Sequence, residues 1–281
     1  MKIAIFSDIH SNFLVFNKAY NDALSKSADI FLFLGDYITD GFDANKVIEI
    51  IKESKGFAIN GNRELSIIDY HKTKDENWDK YIQYKSMQYA YKCLNNESLA
   101  YIESLPMYKI ITVMNKKICM AHGTPYNVRN LVSMDDYDIF EKLIEDFNCD
   151  VYLFAHTHIQ FYTEYKGKYF INAGSIGFPV DGMPFKYGML NIDSSIEYES
   201  IEVDYDYEEL KNYYKNSDYY KEAPIWCSLL LELLKKGENH TQQFIDYTIK
   251  KAKESNIDIS IGIPNELFMN SYNEYMDMIK K

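Results

Sequence analysis

Val151-Tyr152-Leu153-Phe154-Ala155-His156-Thr157-His158 is the stretch around which the rest of the chain is organised. Four apolar residues in a row read as a buried strand. The two histidines then stand where that strand gives way to a loop. A His-x-His in a loop is, taken alone, more often structural or solvated than metal-binding. Its weight comes from four other places where a short apolar run ends on a polar side chain that can ligate a metal: Asp8 with His10, Asp36, Asn62 and His122.

Working outward from there, Lys2-Ile3-Ala4-Ile5-Phe6 is a near-continuous apolar strand of the kind found in sheets covered on both faces. It runs into Ser7-Asp8-Ile9-His10. Side chains at i and i+2 share one face of an extended segment, so Asp8 and His10 are expected to converge. Apolar spacing predicts a helix over 14–27, a strand over 29–34 stopped by Gly35-Asp36, and a helix over 44–54. A third strand covers 56–59, and Asn60-Gly61-Asn62 after it is a turn signal. A long helical region is expected over 76–105, with Tyr84, Met87, Tyr91 and Leu94 on one face. Its start is placed to overhang the strand ends.

Residues 108–113 and 117–121 read as a hairpin that delivers His122-Gly123, and a helix over 135–147 leads back to the opening stretch. Strands are expected over 168–171, 187–192 and 196–203. The order is β-α-β-α-β early and mostly β later, which predicts two stacked sheets with helices outside. Composition changes after Val203. An acidic, tyrosine-rich segment leads to a helix from Pro224 to Gly237, then helices over 241–254 and 265–279. The domain expectation is therefore a main unit over 1–203 and a small helical unit over 204–281, which could cover the site, form a dimer or hold a base.

The chain has 281 residues, with 30 Lys+Arg against 42 Asp+Glu and a formal net charge of −12. That balance argues against a nucleic-acid duplex or an anionic membrane as partner. The apolar run at the N-terminus is too short for a signal peptide, and no run approaches the ~18 residues of a membrane span. Cys93, Cys119, Cys149 and Cys227 lack a Cys-x-x-Cys spacing and read as reduced core thiols. The expected location is cytoplasmic; a homo-oligomer is left open.

The strand ends together carry Asp8, His10, Asp36, Asn62, His122, His156 and His158. Imidazole and carboxylate oxygen suit Mn, Fe or Zn. Seven ligands exceed one tetrahedral site but suit two divalent ions sharing a carboxylate. Asp36 is the natural bridge, because it alone stands at a strand end without a nearby partner ligand. His71 and His240 lie outside the set.

The order Asp-x-His, Gly-Asp, Gly-Asn, His, His-x-His resembles the calcineurin-like metallophosphoesterases, and within them the small bacterial phosphodiesterases. The resemblance spans about residues 1–200 and takes in all five motifs in order. It implies a four-layer αββα sandwich of two mixed β-sheets, an α/β (α+β) fold. It implies that one ion is held by Asp8, His10, Asp36 and His158, and the other by Asp36, Asn62, His122 and His156. Manganese is the expected metal, with iron or zinc as alternatives.

Two positions depart from the family. Many members carry His directly after Gly-Asn, where it assists the leaving group; here the residue is Arg63, which cannot supply a proton but can hold a phosphate and stabilise charge. Ala155 stands where Gly is usual. Asp36, His122 and Arg63 are the expected catalytic residues, and Asn12, Asn62 and Arg63 the expected substrate contacts. Asn12 and the Asn172-Gly174-Ser175 turn are also expected supports.

The expected activity is hydrolysis of phosphodiester or phosphoanhydride bonds of small molecules, nucleotides or dinucleoside polyphosphates among them, by attack of a metal-bridging hydroxide. The rival readings are a phosphoprotein phosphatase and a non-catalytic binding scaffold of the same fold.

Overall fold

The computed structural model of the chain describes residues 1–280. Its first sheet is built from β1 (Lys2–Phe6), β2 (Ile30–Phe33), β3 (Gly56–Ala58), β9 (Phe185–Ile192) and β10 (Ile196–Val203), in the order β10-β9-β1-β2-β3. Its second is built from β4 (Tyr108–Val113), β5 (Lys116–Ala121), β6 (Val151–Phe154), β7 (Phe161–Tyr165) and β8 (Lys168–Asn172), in the order β4-β5-β6-β8-β7. Both sheets are mixed. β1-β2-β3 and β5-β6-β8 are parallel, and the remaining pairs are antiparallel.

The apolar strand runs explain why the sheets stack. Side chains alternate between faces, so a strand that is apolar at every position must be covered on both sides. Ile3, Ile5, Leu32 and Leu34 of the first sheet meet Ile118, Met120, Val151, Leu153 and Ile171 of the second in one buried layer. Ala4, Phe6, Phe31 and Phe33 point the other way. They pack on α1 (Phe13–Ser25) and α2 (Ala44–Glu53) through Val15, Phe16, Ala19, Val47 and Ile48. On the far side, Cys119, Tyr152, Phe154 and Phe170 pack on Phe140 and Leu143 of α7 (Tyr137–Phe147). The result is the four-layer αββα sandwich that the strand pattern predicts.

Several elements differ from the sequence reading. Asn62 opens a helix, α3 (Asn62–Thr73), where the Asn-Gly signal predicts only a turn. Glu64 in its first turn accepts the Gly61 N–H at 2.8 Å and so satisfies a donor at the helix start. The region expected as one helix over 76–105 is broken into α4 (Asn77–Lys80), a 3₁₀ turn at Ile82–Tyr84, α5 (Lys85–Cys93) and α6 (Asn96–Ser104). Leu94 is extended and Asn95 caps α6 by accepting the Ser98 N–H at 2.7 Å, so α5 ends at Cys93 and Leu94 falls outside the helix that was to carry the stripe. β7 has no counterpart in the sequence reading. All four cysteines are unpaired; Cys119, Cys149 and Cys227 are buried and Cys93 partly so.

The last strand ends at Val203, where composition shifts. The helices that follow are α8 (Tyr207–Lys215), α9 (Asp218–Glu222), α10 (Pro224–Lys236), α11 (His240–Glu254) and α12 (Asn265–Ile279). Leu210, Tyr214, Tyr219, Cys227 and Leu230 join the same buried cluster as Phe6 and Phe33. Phe244, Phe268, Tyr275 and Leu229 form a separate cluster that ties α11 and α12 to α10. Among the described residues, no helix is long and apolar enough to cross a membrane.

Candidate metal centre

Parallel strands of both sheets end along one edge of the sandwich, where loops of an open sheet gather binding groups. The loops after β1, β2, β3, β5 and β6 deliver the seven predicted ligands to it. Ligand atoms of Asp8, His10 and His158 lie within 4.8 Å of one another, as do those of Asp36, His122 and His156. Across the two groups, His10 Nε2 is 3.9 Å from Asp36 Oδ2, and within the second group His122 Nε2 is 3.5 Å from the same oxygen. His122 Nε2 is also 3.9 Å from Asp8 Oδ1 and 3.1 Å from Asn62 Oδ1. Residues from Asp8 to His158 thus meet in one place. His71 and His240 are held elsewhere, by the hydroxyls of Tyr91 and Tyr275.

Asp8 and His10 do not converge along an extended strand, as their spacing suggests. Both adopt left-handed backbone, with φ of 51° and 48°, and so do Asp36, His156 and His158. Side chains in this region cost about 1 kcal/mol each or more, and such residues persist only where the surroundings fix them. Tight loop contacts do so here. A Cβ on Gly35, itself at φ +94°, would lie 2.4 Å from the Gly61 backbone nitrogen, so the loops carrying Asp36 and Asn62 touch main chain to main chain. The Ala155 N–H donates to His122 O at 2.8 Å, tying the loops after β5 and β6.

Whether these residues suit cations is decided by where their lone pairs point. His10 Nδ1 faces Asp40 Oδ2 at 3.1 Å, His158 Nδ1 faces Phe178 O at 2.6 Å, and His122 Nδ1 faces Leu34 O at 2.7 Å. Each contact sets the tautomer with the proton on Nδ1 and leaves the Nε2 lone pair turned inward. His10 Nε2 and His158 Nε2 then face each other at 3.4 Å, and His158 Nε2 faces Asp8 Oδ1 at 3.2 Å. Asp8 Oδ1 is buried and has no hydrogen-bond donor. Acceptors aimed at acceptors in a buried pocket suit positive ions.

With protons as the only cations, the electrostatics follow the same logic. Burial would raise Asp36, but His122, His10 and Arg63 hold it well below the usual carboxylate range. Burial would lower His122, but Asp36 and Asp8 keep it up at about 9. His156 falls to about 4, through burial and the neighbouring His122.

Asp40 and Glu64 belong to the site and escape the sequence reading. Asp40 is buried four residues past Asp36, and its carboxylate accepts from Thr39 Oγ1 at 2.8 Å and Ser86 Oγ at 3.0 Å while orienting His10. Glu64 is fully buried and accepts the N–H groups of Asp36 and Tyr37, each at 2.8 Å, besides that of Gly61. It thereby sets the loop that presents Asp36. An acid in the first turn of a helix was the available signal for Glu64; Asp40 stands at no strand end and carried none.

Arg63 lies over the cleft. Its N–H donates to Asp36 Oδ1 at 2.8 Å, and its guanidinium approaches Asp40 Oδ2 at 3.5 Å and Asp36 Oδ2 at 4.0 Å. Asn12, expected to touch substrate, is instead fully buried, with Nδ2 donating to Gly177 O at 3.1 Å. It is not among the residues that line the cleft. The Asn172-Ser175 turn is a support: Asn172 Nδ2 donates to Ala155 O at 2.8 Å, and Ser175 Oγ to Asp8 O at 2.7 Å.

The cleft has a volume of 160 Å³ and is lined by His10, Asp36, Asn62, Arg63, His156 and His158 on one side. Asn239, Thr241 and Gln242, at the start of α11, form the facing wall. The start of α11 thus borders the site.

Comparison with known proteins agrees with this arrangement. The chain is 26% identical over 227 residues to the uncharacterized protein MJ0912 of Methanocaldococcus jannaschii, spanning 73% of this chain and 88% of that protein. The fold is similar to the crystal structure of a metallophosphoesterase from Sphaerobacter thermophilus, with a TM-score of 0.68 at 22% identity over 84% of this chain and 99% of that one. It is also similar to the hypothetical protein PH1004 of Pyrococcus horikoshii OT3, with a TM-score of 0.66 at 17% identity over 84% and 98% of the two chains. A sequence profile for the calcineurin-like phosphoesterase superfamily domain matches residues 1–195, a span that holds every candidate ligand from Asp8 to His158, and the chain belongs to that superfamily.

Proposed function

We propose that the protein is a dinuclear metal-dependent phosphoesterase that cleaves phosphodiester or phosphoanhydride bonds of small molecules, nucleotide polyphosphates among the candidates. The observation that carries this reading is the pair of ligand groups, Asp8-His10-His158 and Asp36-His122-His156, meeting side by side with Asn62. We assign one divalent ion to Asp8, His10, Asp36 and His158 and the other to Asp36, Asn62, His122 and His156, with manganese preferred. Two such ions supply a polarised phosphoryl oxygen and a water that ionises near neutral pH.

The chain's own residues do the rest. Asp40, Phe178 O and Leu34 O fix the tautomers of His10, His158 and His122. Arg63 presents its guanidinium to the phosphate, where it orients the substrate and offsets charge on the departing oxygen. It offers no proton, so leaving groups that are stable as anions are favoured. The wall at Asn239, Thr241 and Gln242 narrows the cleft and favours small substrates over phosphoproteins.

The test is hydrolysis of bis-p-nitrophenyl phosphate and diadenosine tetraphosphate by the purified protein with added Mn²⁺, against a phosphopeptide control. Turnover of either small substrate ahead of the phosphopeptide is expected. No turnover of either at two metals per chain would defeat the reading, and fewer than one metal per chain after reconstitution would favour a binding scaffold.

A further inference from the structure

A second cavity, of 380 Å³, shares Arg63, Phe178 and Thr241 with the metal cleft. Its remaining wall is mostly apolar, with Trp226 from α10, Met87 from α5, Ile245 and Ile249 from α11, and Ile263 from the loop before α12. Two buried N–H groups on its wall, Trp226 Nε1 and Arg63 Nε, have no hydrogen-bond partner among the described residues, while other polar groups at its margin are engaged with the protein. Ser86 Oγ bonds Asp40 Oδ1 and Tyr219 Oη, each at 3.0 Å, and Gln83 Oε1 accepts the Ile263 N–H at 2.8 Å. A nucleobase needs several free partners for its edge; a hydrocarbon ring needs none.

A phosphate held under Arg63 would have this cavity on its flank, so one of its ester groups can enter it. An apolar cavity of ~150 Å³ already accepts benzene, and 380 Å³ leaves room for a substituted ring. We infer that this cavity is the subsite for an apolar, ring-sized ester group, and that the substrate is an aryl or branched-alkyl phosphate ester. The inference rests on the phosphoesterase reading and narrows it. It assigns Ile245, Ile249 and Trp226 as specificity-determining residues, with α11 contributing to both cavities.

The experiment is calorimetric binding of methylphosphonate, phenylphosphonate and the phosphonate analogue of AMP to the full-length Mn²⁺-loaded protein. Phenylphosphonate is expected to bind about 10- to 100-fold tighter than methylphosphonate, the range that burial of a ring supports. The AMP analogue is expected to bind no tighter than methylphosphonate. Ile249→Trp fills the cavity and should remove the phenyl advantage; Ile245→Ala widens it and should reduce that advantage about threefold. Methylphosphonate binding should be unchanged in both, which reports a folded cleft. Equal affinity for methyl and phenyl, preference for the AMP analogue, or a phenyl advantage untouched by both substitutions would overturn the inference. Binding does not depend on turnover. A phenyl preference without hydrolysis would therefore remove the enzymatic reading alone, and hydrolysis without the preference would remove the subsite alone.

Discussion

Asp40 shows how much of a metal site lies one side chain away from its ligands. It touches His10 Nδ1 and so decides where His10 Nε2 points. Asp40→Asn keeps the volume and loses the charge, and metal affinity is expected to fall about 10- to 100-fold, measured by competition with a chelator. Arg63 behaves differently, because its guanidinium faces the cleft and ligates nothing. Arg63→Ala is expected to lower kcat/KM about 100-fold with metal content unchanged, and Arg63→Lys to restore part of it. The seven candidate ligands were readable because each follows an apolar run in a motif. Asp40 was not, since its role exists only once the loop after β2 folds back beneath His10. Asn12 as a substrate contact was misread for the same reason, although its second expected role, as a support, agrees with its buried bond to Gly177 O.

At the scale of elements, the buried strands and the helices over 135–147 and 224–279 were legible, and the helices between Asn62 and Ser104 were not. A strand such as Ile3–Phe6 is apolar at every position, and only a two-sided sheet accommodates that. Segments 62–73 and 76–105 carry mixed, weakly patterned sequence, so their breaks depend on caps such as Asn95 and on packing against α3, α5 and α6. Backbone conformation was hidden too, because left-handed φ at Asp8 or His156 leaves no trace in residue type. The same conformation occurs outside the site: Ser27, exposed just after α1, has φ 62°. Ser27→Gly removes the steric cost there and should stabilise the fold by up to about 1 kcal/mol, read from chemical denaturation, with activity unchanged.

For the molecule as a whole, burying Asp8, Asp36 and His122 together couples cation binding to folding. Ligands that bind only the folded chain stabilise it by mass action, about 2.7 kcal/mol at a hundredfold excess over Kd. Removing metal with EDTA is therefore expected to lower Tm by roughly 5 °C in a thermal scan, and Mn²⁺ to restore it. The division at Val203 marks where strands stop, yet α8 to α10 pack into the core of the first sheet. Composition could register the change of secondary structure but not where those helices pack.

The wall formed by Asn239, Thr241 and Gln242 has a consequence for biosynthesis. Every candidate ligand has been translated by His158, whereas Thr241 follows more than eighty residues later. At about 5–20 residues per second, that gap lasts roughly 4–16 s on the ribosome. A nascent chain that acquired its ions during this interval would bear an uncovered, unselective centre, so a helix that emerges well after the candidate ligands is the one that confines it.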